Sequence, residues 1–136
     1  MSEILIDHVL LDRVTKAAKE SPRLRMNYNF HESLSSPSQR LLNALEPGTV
    51  LPIHRHRHTA ETYVLLRGRM RVLFYDDDKK EINRYELDPA EGTYGVNIPR
   101  GQWHTIEVLC AGTVIFEVKD GPYIPCLLYT SPSPRD

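Results

Sequence analysis

GTVLPIHRHRHTAETYVLLRG, residues 48–68, is the stretch on which the reading of this chain turns. Three of the chain's six histidines fall between residues 54 and 58, interleaved with Arg55 and Arg57. In extended backbone, side chains two apart share a face, so His54 and His56 project together while Arg55 points away. Two imidazoles on one strand face can chelate one ion, and the same spacing relates His56 to His58. A site needs further ligands. Glu61 stands at the start of the next strand, and His104 follows a turn built by Pro99 and Gly101. Taken alone, three histidines on an exposed strand also read as plain surface.

The surroundings read as strands. RLLNALE (40–46) runs into the Pro47-Gly48 turn. TYVLLRG (62–68) alternates and stops at glycine, and RMRVLFY (69–75) alternates arginine with apolar residues before the Asp76-Asp77-Asp78-Lys79 turn. INRYEL (82–87) and TYGVNI (93–98) are shorter. WHTIEVLC (103–110) and TVIFEV (113–118) flank Ala111-Gly112, which reads as a two-residue hairpin loop. About eight short strands at such spacing predict an all-β sandwich or jelly-roll barrel over residues 39–125.

Residues 7–20 predict a helix capped by Asp7, with Ile6, Val9, Leu10, Val14 and Ala17 on its apolar face. Ser21-Pro22 ends it and closes an N-terminal helical segment, 1–22. Residues 23–38 are polar and read as an extended arm and loop. His31 within it is expected to be a hydrogen-bonded structural residue. The alternative is an arm folded over the barrel mouth, bringing Arg25, Asn27, Asn29 and His31 toward a ligand.

With 136 residues the chain holds one domain, and its net charge of −1 argues against a nucleic-acid partner. The arginines that do cluster, Arg23, Arg25, Arg55, Arg57, Arg67, Arg69 and Arg71, are expected to be solvated surface, or else an anion site. No apolar run approaches the ~20 residues that span a bilayer, and the N-terminus lacks the pattern of a signal peptide, so a cytoplasmic protein without membrane contact is expected. Cys110 and Cys126 are too few for a disulfide framework. Residues 126–136, CLLYTSPSPRD, match the translation of a transposase-based sequencing-library adapter and are expected to be a non-native tail, with the natural sequence visible to Pro125. Cys110 is then left as an ordinary core thiol.

The arrangement Gly48-x5-His54-x-His56-x4-Glu61-x6-Gly68 resembles the first motif of the cupin superfamily at every position, and Pro99-x-Gly101-x2-His104 resembles the second. The departure is Val108, where the family usually carries Asn. PRLRMNYNFH, QRLLNALEPGT, VLLRGRMRVLFYDDD, IPRGQWHT and VIFEVKDGPY extend the likeness over residues 4–125 to the WbuC family of cupin-fold metalloproteins, many encoded among O-antigen polysaccharide genes. The resemblance implies a cupin-type jelly-roll β-barrel with a short N-terminal α-helix. It implies His54, His56, Glu61 and His104 as ligands and leaves His58 at the rim. It also implies a homodimer.

Three neutral imidazoles and one carboxylate suit one divalent transition metal ion per chain, Fe, Mn, Ni, Co or Zn, and the lack of thiolate disfavours a structural zinc site. Four protein ligands leave a position for water or substrate. Tyr63 and Leu65 share a face beyond Glu61 and are expected to line the cavity, with Arg67 on the same alternation. Tyr63, Arg67 and His31 are therefore the catalytic candidates, while Tyr75, Trp103 and Phe116 read as core. The expected function is a metal-dependent enzyme, an isomerase or epimerase, a lyase or hydrolase, or a dioxygenase, acting on a small sugar or sugar nucleotide of surface polysaccharide assembly. Two other readings stand beside it: a non-catalytic, metal-dependent small-ligand binding or sensing module, and a metal-free sugar-nucleotide epimerase-like barrel.

Overall fold

A computed structural model describes residues 2–125 and 127–128. The helix forms as the sequence predicts: α1 (His8–Glu20) is capped by Asp7, whose side chain accepts from the backbone N–H of Leu10. Its buried stripe is Leu10, Leu11, Val14, Thr15 and Ala18. The apolar face expected from the sequence therefore needs correction, because Ile6 and Val9 are exposed. Leu11 and Ala18 satisfy the same helical period one step round, and only the surface α1 meets could choose between the two stripes. That surface is the outer side of a sheet: Leu42, Ala44 and Val114 pack under the helix, flanked by Tyr28, Phe30 and Phe116.

Among the described residues, ten strands build two five-stranded antiparallel sheets. The first contains β1 (Arg25–Asn29), β2 (Ser38–Leu45), β4 (Glu61–Arg67), β7 (Gly95–Ile98) and β9 (Thr113–Asp120), in the order β1-β2-β9-β4-β7. The second contains β3 (His54–Arg55), β5 (Met70–Tyr75), β6 (Glu81–Leu87), β8 (Trp103–Val108) and β10 (Leu127–Leu128), in the order β10-β3-β8-β5-β6. The fold is all-β and jelly-roll-like, two facing sheets rather than a closed barrel. The segment expected as an arm carries β1, which pairs along its length with residues 41–45 of β2 and joins the first sheet as its edge. Of the expected tail, Leu127 and Leu128 pair with Arg55 and His54. Residue 126 and residues 129–136 lie outside the described residues.

The core lies between the sheets. Leu45, Tyr63, Leu65, Met70, Val72, Phe74, Leu87, Ile98, Ile106 and Ile115 are its buried members. They are alternate residues of their strands, as the pleat requires. Burying each such large apolar side chain contributes roughly 1.5–3 kcal/mol.

The expected hairpin at Ala111-Gly112 does not form. β8 lies in one sheet and β9 in the other, so residues 109–112 are a corner between sheets. Turn residues carry the same local signal whether the chain returns along its own sheet or crosses over. At this corner the Gly112 N–H donates to the Glu46 carboxylate at 2.8 Å, and Thr113 Oγ1 donates to the Cys110 carbonyl at 2.8 Å. Gly68 makes the neighbouring crossing from β4 to β5. Its φ is +93°, and a Cβ there would stand 2.6 Å from Cα of Thr113, so only glycine fits. No helix among the described residues is long and apolar enough to cross a membrane.

Candidate metal centre

Three strands converge at one end of the sandwich. β3 brings His54, β4 begins with Glu61 and β8 brings His104 on its second residue. His54 and His104 are direct partners across the β3–β8 ladder, and their rings lie 4.3 Å apart between centroids. His56 follows β3, and its carbonyl accepts the Gly101 N–H at 2.8 Å, which ties it to the turn that launches β8. Gly101 takes φ +80°, so this turn too favours glycine.

One ligand atom from each of His54, His56, Glu61 and His104 lies within 4.8 Å of the others. Glu61 is the hub. Its Oε1 is 2.9 Å from His104 Nε2 and 3.4 Å from His56 Nε2, and it accepts the Tyr63 hydroxyl at 3.0 Å. Nitrogen and oxygen ligands in adjacent positions around an ion at ~2.1 Å would themselves be about 3 Å apart. The spacing fits such an ion.

The tautomers fit as well. His54 Nδ1 is 3.0 Å from the Pro52 carbonyl, and His104 Nδ1 is 2.8 Å from the Gln102 carbonyl. A carbonyl only accepts, so each Nδ1 carries a proton, and in His104 this leaves Nε2 turned toward Glu61 in the centre. Burial, reinforced by the His104 ring, lowers the His54 pKa to about 4, which keeps this imidazole neutral near pH 7. Burial alone would raise Glu61, but its hydrogen bonds to His104 and His56 win and hold it well below the usual carboxylate range. Glu61 and His104 are 3% and 0% exposed, whereas His54 and His56 are only half-buried, so the cluster opens on the β3 side.

The other candidates separate. Tyr63 is buried against the cluster, with its hydroxyl also 3.5 Å from His104 Nε2. Leu65 lies in the core beyond it. Arg67 is not at the cavity, which corrects its expected place: a bulge between Leu65 and Arg67 interrupts the ladder with β9. Arg67 instead clamps the helix, reaching Asp12 at 2.8 Å, Thr15 at 3.1 Å and the Gly112 carbonyl at 3.3 Å. His31 is buried, with Nδ1 3.1 Å from both the carbonyl and the N–H of Arg40, and serves the β1–β2 connection. Arg25 and Asn29 are on β1 at the sheet edge, with Arg25 reaching the Val50 carbonyl. His58 is exposed, and the Trp103 ring, buried, is covered by Arg55 and Lys79 at 4.5 and 4.4 Å.

Two residues near the centre escaped the sequence reading. Glu117 and Lys119 project inward from β9, on the same face as Ile115. Their register partners on β4 are Tyr63 and Glu61. Glu117 accepts from Asn43 Nδ2 at 2.9 Å. Burial, with the Glu61 charge nearby, pushes its carboxyl up to about 7. The signal was present in TVIFEVKD: charges at alternate positions, continuing an apolar row inward, where a strand of pure scaffold would carry apolar side chains.

A family model described as a domain of unknown function, DUF6016, matches residues 6–87. A search of curated proteins finds no match. Solved structures share the fold. Oxalate decarboxylase of Lactobacillus farciminis superposes with a TM-score of 0.61 at 13% identity, over 80% of this chain and 32% of that one. The cupin domain of Schizosaccharomyces pombe Cnp3 gives 0.57 at 10% identity, over 71% of this chain and 64% of that one. The capsular polysaccharide assembling protein CapF of Staphylococcus aureus gives 0.56 at 20% identity, over 82% of this chain and 30% of that one. The chain thus spans less than two thirds of each of these proteins. Together they identify the architecture as the cupin fold.

Proposed function

The chain belongs to the family described as a domain of unknown function, DUF6016, and from its site we propose a metal-dependent enzyme acting on a small oxygenated molecule. His54, His56, Glu61 and His104 would hold one divalent transition metal ion, Fe, Mn, Ni, Co or Zn. The observation that carries this is the convergence of three imidazoles and one carboxylate within 4.8 Å, with the Nδ1 of two rings already tied to carbonyls. A bound ion of this kind supplies an electrophile that polarises an oxygen or acidifies a water.

The protein's own residues prepare for that role. Tyr63 orients Glu61 through its hydroxyl. Glu117, held by Asn43, places a carboxyl with a near-neutral pKa one strand away, suited to give or take a proton. The half-buried side at His54 and His56 gives a ligand its way in. The resemblance to the WbuC family, and a fold shared with a capsular polysaccharide assembling protein, support a sugar or sugar nucleotide of surface polysaccharide assembly as substrate. The same resemblance supports a homodimer.

Elemental analysis of the purified chain beside a His54→Ala/His56→Ala variant tests the reading. About one transition metal per chain, absent from the variant, is the expected result. No metal in either protein, even after reconstitution, would overturn it.

A further inference from the structure

A cavity of about 150 Å³ opens beside His56, between the loop that follows β3 and the segment that follows β9. Arg57, His58, Lys119 and Tyr123 are among its lining residues. Lys119 is the key member. It is the direct ladder partner of Glu61 and faces the same inter-sheet space. Directly opposed residues of an antiparallel pair have Cβ atoms about 5 Å apart, so the Lys119 stem is rooted beside Glu61. Its ammonium lies 5.7 Å from the Tyr123 ring centroid, over an aromatic face. Arg57 enters from the other side on an exposed loop.

Among the described residues, no carboxylate lies within ion-pair distance of Arg57 or Lys119; Asp120 is the one acidic residue lining the cavity. A divalent ion on a site with one carboxylate would add further positive charge. With Glu61 and Glu117 as the carboxylates nearest Lys119 in the ladder, Arg57, Lys119 and the ion still leave a positive balance, which calls for an anion. The cavity is small against the roughly 300–1,000 Å³ of sites that enclose a drug-sized ligand, so it suits one compact group rather than a whole nucleotide.

We propose that Lys119 and Arg57 form an oxyanion subsite in this cavity, which binds a carboxylate or phosphate group of the ligand while the rest of the ligand faces the centre at His56. The inference rests on the metal reading for what lies beside the subsite, and it adds the chemical class of the ligand. Arg57 offers a planar fork of donors and Lys119 a point charge, a pairing suited to an oxyanion.

Titration calorimetry in low-salt buffer tests it on the full chain, metal-free and after loading with Zn²⁺, with malonate, inorganic phosphate and glucose as probes. At least one anion is expected to bind the wild-type chain, and glucose is not. Lys119→Gln and Arg57→Gln should each weaken the anion by about tenfold or more, the scale of one charge-assisted hydrogen bond, with zinc content unchanged. Binding of malonate alone assigns a carboxylate, and of phosphate alone a phosphoryl group. Failure of both anions to bind either form, or unchanged binding in both variants, would overturn the subsite. A wild-type chain that takes up no zinc would overturn the metal reading instead, since the metal-free titration reads Lys119 and Arg57 directly. Arg57 is exposed, so its variant reports even where Lys119→Gln fails to fold.

Discussion

The two ends of the inter-sheet space are built on the same strands and carry opposite chemistry. At one end the ladder across β2, β9, β4 and β7 reads Gln39, Lys119, Glu61 and Ile98, and the next row Leu41, Glu117, Tyr63 and Val96. Toward the other end, Leu45, Leu65, Met70, Val72, Ile106 and Ile115 fill the equivalent inward positions. Along these rows the alternation holds; only the side chains placed on it change. A buried ionisable residue is tolerated only where hydrogen bonds or charge partners offset its desolvation, so the polar end is the less stable half by construction. The apolar end supplies the stability that lets it persist.

That contrast can be broken most strongly from the apolar end. Leu65→Ala should destabilise the fold by about 2–5 kcal/mol in urea titration, with metal uptake per folded chain unchanged. A loss of metal at equal folded fraction would show that the ends are not separable.

Glu117 sharpens the contrast through pH. Its carboxyl, raised from 4.5 to about 7, keeps its proton in the folded state while the unfolded chain has already released it. The folded state then binds more protons across that window, so stability falls as pH rises from about 4.5 to 7 and the penalty is complete above it. In metal-free protein, Glu117→Gln should remove this fall and be more stable than the wild type at pH 8, by an amount on the order of 1–3 kcal/mol. At pH 4.5 the two should match. His54 works from the other side: lowered to about 4, it resists a proton that the unfolded chain accepts, so its penalty grows as pH drops below 6.5. Equal Glu117→Gln and wild-type stabilities at pH 8 would contradict the placement of Glu117.

Tyr63→Phe removes only the hydroxyl that steadies Glu61. Metal affinity should fall by about tenfold, measured by competition with a chromophoric chelator, with a minor change in melting temperature. An unchanged affinity would remove Tyr63 from the site. The smallest effect belongs to Asp12→Asn, which lies outside both ends. Its ion pair with Arg67 is exposed, so the loss should be below about 1 kcal/mol in thermal unfolding, with no effect on metal.

Much of this was legible in the chain itself. The helix and its Asp7 cap, the strands β4, β5 and β8, and the acidic turn between β5 and β6 follow from patterns a few residues long. The four clustered residues were legible through their spacing and family likeness. What failed did so where a local pattern has two tertiary outcomes. Ala111-Gly112 turns the chain but into the other sheet. Arg67 sits on an alternation that a bulge interrupts. The apolar face of α1 is shifted by one residue, and residues 25–29 became an edge strand because β2 had an open side to pair with.

By itself the sequence determined which side chains share a strand face, because that depends on a period of two; this offered His54 with His56 and His56 with His58 as pairs, and the motif spacing chose the first. It also determined the helix, because capping and a 3.6-residue period are local. Only the tertiary structure decided that His104, 43 residues beyond Glu61, comes within 2.9 Å of it, and that Glu117 and Lys119 stand opposite Tyr63 and Glu61. Those contacts depend on which strands pair and in what register, and that is settled by the packing of the two sheets as a whole.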